Sequence, residues 1–183
     1  VTKCAEVAAR ILTQLGYTPK EVELARIAAY MHDIGNVVNR HDHALSGATM
    51  AFRILDKMGM EPPDVAAVIT AIGHHDDSTA YPVNAIAAAL ILADKTDVRR
   101  SRVRNKDMST FDIHDRVNYS VERSEVLLDL PGRTVTLSLS INTEVCAVMD
   151  YFEIFLQRML LSRKAAETLD LKFRLEINGQ ILL

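Results

Sequence analysis

The chain has no tryptophan, and only 5% of its 183 residues are aromatic. Large rings therefore do not supply most of the core. Aliphatic side chains must, and with 49% of residues hydrophobic there are enough of them to bury one without cross-links. Cysteine is nearly absent. Cys4 and Cys146 stand far apart, match neither zinc-knuckle nor redox spacing, and read as the reduced thiols of a cytoplasmic protein. No apolar run approaches the roughly 20 residues that span a bilayer, and no secretory signal is visible. Neither sign of charge dominates, with 24 acidic against 21 basic residues and a net charge of −3. That balance argues against a nucleic-acid binder. The chain opens on Val1 rather than methionine, so further residues are expected upstream.

The pattern that is present changes character near residue 105. Before it, apolar residues recur at helical spacing. Cys4, Val7, Ile11 and Leu15 form one stripe, and Leu24, Ile27, Ala28 and Met31 a second that stops at Gly35. A polar loop from Asn36 to Asp42 leads to a third helix, about Ala44 to Met58. Pro62-Pro63 opens a fourth, as proline can in a first turn. A fifth is expected from about Val83 to Val103, after a loop through Asp76, Asp77, Ser78 and Pro82. Beyond residue 105, Val135, Leu137, Leu139 and Ile141 alternate with polar residues, which predicts a strand with one buried face. Pro131-Gly132 joins it to an earlier strand, Val121 to Leu130. Asn142 or Thr143 would cap a long helix bearing Val145, Val148, Phe152, Phe155 and Met159. Leu171 to Ile177 alternates again, and Asn178-Gly179 predicts a hairpin into Gln180 to Leu183. The fold class is thus mainly α: a helical bundle over 1–105, then a small ββαββ module over 106–183.

Five of the six histidines lie between positions 32 and 75. Asp94 ends a run, Ala85 to Ala93, without one polar side chain. A helix apolar on every side is buried, so this carboxylate needs a counter-charge, hydrogen bonds or a metal. Lys95 is adjacent but points about 100° away around the helix, an imperfect partner. His32-Asp33 ends the second helix, His74-His75 ends the fourth, and His43 begins the third. Imidazole and carboxylate donors without thiolate suit zinc, iron, manganese, cobalt or nickel, with magnesium less favoured. His41, Asp76 and Asp77 read as loop surface, and His114 lies outside the cluster. The basic run Arg99, Arg100, Arg102, Arg104 and Lys106 reads as a solvated helix end.

The string Ala29-Tyr30-Met31-His32-Asp33-Ile34-Gly35 resembles the signature of the HD superfamily of metal-dependent phosphohydrolases. His43-Ala44-Leu45-Ser46-Gly47-Ala48 is similar to the family's next histidine segment. His74-His75-Asp76 resembles the double histidine of bimetallic members, and Leu92-Ala93-Asp94-Lys95 the closing Ala-Asp motif. The likeness covers roughly residues 1 to 104. It implies that His32, Asp33 and Asp94 hold one metal and that Asp33 bridges to a second, completed by His43, His74 and His75. Those three histidines would alternatively support a single ion. The resemblance also implies attack of a metal-activated water on a nucleotide or other small phosphoester, with Asp33 and Lys95 as catalytic candidates. Asn36, Lys95 and Arg99 are candidate contacts to the phosphate.

Two features depart from the family. Its earlier histidine, on the first helix, is missing here, and counting back from Cys4 puts it one residue before Val1. A histidine is expected there. Asn36 replaces the lysine that follows His-Asp-Ile-Gly in cyclic-dinucleotide phosphodiesterases, and no Gly-Tyr-Pro motif follows, which counts against that specificity. The competing reading is a catalytically inactive metal-binding sensor or scaffold. The carboxyl-terminal module resembles no family. It reads as an element for homodimerisation, lid closure or partner binding.

Overall fold

The computed structural model describes residues 1–77, 80–103, 105 and 107–182, with Arg102 through its backbone alone. Ser78 of the expected loop, Arg104 and Lys106 of the basic run, the Arg102 side chain and Leu183 of the last strand lie outside the described residues.

Helix α1 (Thr2–Gln14) packs along α2 (Pro19–Met31). A capping box opens α2: Thr18 Oγ1 accepts from the Glu21 N–H, while the Glu21 carboxylate accepts from the Thr18 N–H. Helices α3 (His43–Lys57) and α4 (Pro62–Gly73) follow as an antiparallel-type pair in close contact. At the centre lies α5 (Ala85–Lys95), whose residues from Ala87 to Leu92 are fully buried. Its neighbours are α1, α2, α4 and, from far along the chain, α7 (Val148–Thr168). A run without polar side chains is what such an all-round environment requires.

Three expected helix boundaries move. The fifth helix begins at Ala85, because the Asn84 side chain caps it by accepting from the Ala87 N–H at 2.9 Å. It ends at Lys95 rather than near Val103: the Thr96 hydroxyl bonds back to the Leu92 carbonyl, and the chain turns so that Val98 is buried. Arg99 and Arg100 therefore do not decorate a helix end. Arg99 pairs with Asp97, and Arg100 stacks over the Tyr119 ring. The long helix starts at Val148, not beside Asn142, because the Asn142 side chain accepts from the Glu144 N–H and caps a separate turn. A short helix, α6 (Ile113–Ser120), was not expected; Asp112 caps it.

Strands β1 (Val121–Asp129), β2 (Thr134–Ile141), β3 (Lys172–Ile177) and β4 (Gln180–Ile181) form one sheet in that order. β1 and β2 are antiparallel, as are β3 and β4. Asn178 and Gly179 both take left-handed backbone angles, φ 51° and 81°, which the tight turn between β3 and β4 demands. β2 and β3 run parallel, with α7 as the crossover. The ββαββ order is thus as the alternation predicts. Helix α7 touches both β3 and α5, so it lies between the sheet and the bundle, and the buried residues of both halves form one continuous apolar cluster. On the bundle side, Arg10 of α1 donates to the Val126 carbonyl of β1 at 2.9 Å. No helix among the described residues is long and apolar enough to cross a membrane.

Because Phe155 sits 1% exposed in that shared cluster, Phe155→Ala is expected to cost ~3–5 kcal/mol. Urea unfolding followed by circular dichroism should show helix and sheet signals lost together. Separate transitions would contradict a shared core.

Candidate metal centre

Several helix ends meet at one point. His32 caps the carboxyl end of α2, and Asp33 begins a 3-10 turn over Ile34–Val37. His43 opens α3, His74 and His75 follow the end of α4, and Asp94 lies in the last turn of α5. Gly35 makes the convergence possible. A Cβ there would strike the His43 carbonyl and stand 2.6 Å from the Gly47 amide. Without one, the turn after α2 presses directly against the start of α3.

The imidazoles share one arrangement. Nδ1 of His32 lies 2.7 Å from the Ala29 carbonyl, Nδ1 of His43 3.1 Å from that of Arg40, and Nδ1 of His75 2.6 Å from that of Ile72. A carbonyl only accepts, so each Nδ1 carries the proton and each neutral ring keeps its lone pair on Nε2. Those Nε2 atoms face one another. His43 and His75 stand 3.2 Å apart, and the His32 and His75 rings are 4.9 Å apart at their centroids. Asp33 completes the group, with Oδ2 3.5 Å from His32 Nε2 and Oδ1 3.5 Å from His43 Nε2. Asp94 Oδ1 is also 3.5 Å from His32 Nε2. His32, Asp33 and His75 present donor atoms that all lie within 4.8 Å of one another, a set that can hold a metal ion.

Burial and charge oppose each other here. Burial pushes the His75 imidazole down from 6.5 to about 4, so it is neutral at ordinary pH. For His32 burial is again the largest influence and acts downward, but the Asp94 and Asp33 carboxylates outweigh it and raise the net value. Burial would raise the Asp94 carboxyl. Lys95 and His32 overcome it and hold the acid well below the usual carboxylate range.

Lys95 departs from its expected orientation. Its four-carbon stem spans the angle between adjacent helical positions, and Nζ lies 2.7 Å from Asp94 Oδ2 and 2.9 Å from Asp77 Oδ1. At 4% exposure it stands behind Asp94 rather than at an open surface. Asp77 is an exposed loop residue as expected, but it also pairs with Lys95, and Asp76 reaches within 3.9 Å of His43. His41 and His114 are exposed and apart from the cluster. His74 turns its Nδ1 to the Thr70 carbonyl, and among the described residues no hydrogen bond, ion pair or ring contact joins it to the other five candidate ligands.

A cleft of about 720 Å³ opens over the cluster, lined by Val1, Cys4, His32, Asp33, Asp94 and Asp97, with Asn36, Arg40, Arg99 and Ser101 around them. The start of α1, with Val1 just before it and Cys4 in its first turn, thus looks onto this site. Asn36 donates to Asp33 Oδ1 at 2.7 Å and so orients that carboxylate. The sequence reading missed Arg40, whose Nη1 lies 3.7 Å from Asp33 Oδ1 and 3.4 Å from His43 Nε2. Its spacing held the signal: it falls three residues before His43 and four after Asn36.

The family model described as HD domain matches residues 2–153, so the match runs past the bundle and into α7. No curated protein and no solved structure matches the chain.

The acid response of the metal-free protein follows from His75. Its folded value is depressed, so its contribution is complete above 6.5 and is lost as the pH falls towards about 4. His32, raised, acts oppositely, its contribution fading as pH rises past 6.5. The fall due to His75 is expected to reach ~3 kcal/mol. Urea titrations between pH 7 and 4 should give a flatter profile for His75→Gln than for the wild type; parallel profiles would contradict the assignment.

Proposed function

The chain belongs to the HD-domain family, and we propose that it is a metal-dependent phosphohydrolase acting on a nucleotide or other small phosphoester. HD domains are in general metal-dependent hydrolases, and the His/Asp group is compatible with a divalent ion. One observation carries the reading: the Nε2 atoms of His32, His43 and His75 converge with the carboxylates of Asp33 and Asp94, and His32, Asp33 and Asp94 line an open cleft whose wall bears Arg40 and Arg99. A histidine cluster kept for packing alone gains nothing from pointing every lone pair at the same place.

His32, Asp33 and Asp94, with His43 and His75 beside them, would hold a divalent cation, which would supply Lewis acidity and activate water there. Mn, Fe, Zn, Ni or Co suit the nitrogen-rich donors. The rest is the work of this chain. The carbonyls of Ala29, Arg40 and Ile72 fix the imidazole tautomers. Asn36 holds Asp33, and Lys95 holds Asp94. We assign Asn36 and Lys95 as positioning residues. Arg40 and Arg99, which pair with Asp33 and Asp97, line the cleft and would turn their guanidinium forks to the phosphate oxygens, a geometry that such forks match. His74 is a weaker candidate ligand, since its ring is turned to Thr70.

Turnover should be screened with nucleotides, dinucleoside polyphosphates and nitrophenyl phosphate esters in the presence of Mn, Fe, Co, Ni, Zn or Mg. Asp33→Asn and Asp94→Asn are each expected to lower kcat/KM by roughly 100-fold or more, the scale of losing several kcal/mol of charge stabilisation. Arg40→Ala should raise KM by roughly 10-fold or more, the scale of one charge-assisted hydrogen bond. Metal binding without turnover on any substrate would favour a sensor or scaffold instead.

A further inference from the structure

We propose that Arg158, on α7, is a positioning residue for the metal centre, acting on Asp94 through Asp77 and Lys95. The proposal rests on the reading of Asp94 as a metal ligand.

The two oxygens of Asp94 have different tasks. Oδ1 faces His32 Nε2 at 3.5 Å, and Oδ2 takes the Lys95 ammonium at 2.7 Å. Lys95 is in turn held from its far side by Asp77 Oδ1 at 2.9 Å. The other Asp77 oxygen, Oδ2, lies 3.2 Å from Nε of Arg158. The guanidinium of Arg158 rests 4.8 Å from the centroid of the Phe155 ring, which is itself buried. Charges alternate along this chain from the candidate ligand to the long helix, and each carboxylate uses one oxygen in each direction.

Each link supplies what its neighbour lacks. A lysine ammonium is a point charge on a flexible stem and does not fix its own direction. A second carboxylate opposite Asp94 does fix it. Asp77 sits in a loop, two residues after His75, with no helix or strand to hold it. A planar guanidinium seated on a buried ring provides that hold. The same contact therefore steadies the segment that carries His75. The Arg158–Asp77 pair is partly open to water, and such pairs add little to folding stability. Its effect should appear in metal binding rather than in unfolding.

The test is Mn²⁺ binding to the full chain, by calorimetry, for the wild type, Arg158→Met, Arg158→Lys, Asp77→Asn, the Arg158→Met/Asp77→Asn double variant and Asp94→Asn, with the Tm of each. Arg158→Met is expected to weaken Mn²⁺ binding roughly 10-fold, at the lower end of what removing an outer support of a ligand does. Arg158→Lys, which keeps the charge but not the planar fork on the ring, should recover only part of that loss. Asp77→Asn should match Arg158→Met, and the double variant should be no worse than either single one, since both break one chain. Wild-type affinity in Arg158→Met, or losses that simply add in the double variant, would overturn the proposal. If Arg158→Met does not fold, affinity in Arg158→Lys between those of the wild type and Asp77→Asn supports the chain, and wild-type affinity in Asp77→Asn refutes it. The underlying reading fails separately: an Asp94→Asn protein that binds Mn²⁺ as the wild type does would show that Asp94 is no ligand.

Discussion

The hydrogen bond from an imidazole Nδ1 to a carbonyl three residues back is the interaction on which the site depends. His32, His43 and His75 each make it, to Ala29, Arg40 and Ile72. It is short-range and local, available where a helix or turn ends and its last carbonyls lose their regular intrahelical partners. Its consequence is not local. It fixes which ring nitrogen is bare, and because these histidines stand at the ends of different elements, the bare nitrogens meet. The packing of α2, α3, α4 and α5 then has a second role besides burying apolar surface: it sets the distances between those lone pairs.

Much of this was legible in the sequence, for identifiable reasons. The helical stripes and the alternating strands follow from periodicity. The histidine segments, met in order, carry the family likeness, and the family match over residues 2–153 agrees with it. Hidden features were of two kinds. Some depended on a local competition between hydrogen-bonding partners, as at Thr96, where a side-chain hydroxyl bonds back to the helix, and at Asn142, which caps a turn instead of a helix. Others depended on contacts far apart in sequence. Nothing near Asp77 announces Arg158, which lies 81 positions away. Lys95 was judged by its angle around the helix, and the length of its stem defeated that judgement.

Electrostatics gives the centre a dual character. The carboxylates and Lys95 form a compensated cluster that tolerates burial, whereas at His75 burial outweighs nearby negative charge and keeps the ring neutral at ordinary pH. His32 and His75 touch edge to face, yet they are driven in opposite directions. The difference lies in which of them faces the acids: His32 stands 3.5 Å from both Asp33 and Asp94.

The placement of α7 has a consequence for how the protein is made. The fully buried run of α5, residues 87 to 92, is enclosed on one side by a helix that begins only at Val148. A ribosome adds about 5–20 residues each second, so several seconds separate the appearance of Asp94 from that of Arg158. During that interval an apolar helix is incompletely covered, and its terminal carboxylate has its histidine partner but not its full surroundings. The candidate site thus gains its complete surroundings late in synthesis, after its own residues have all been made.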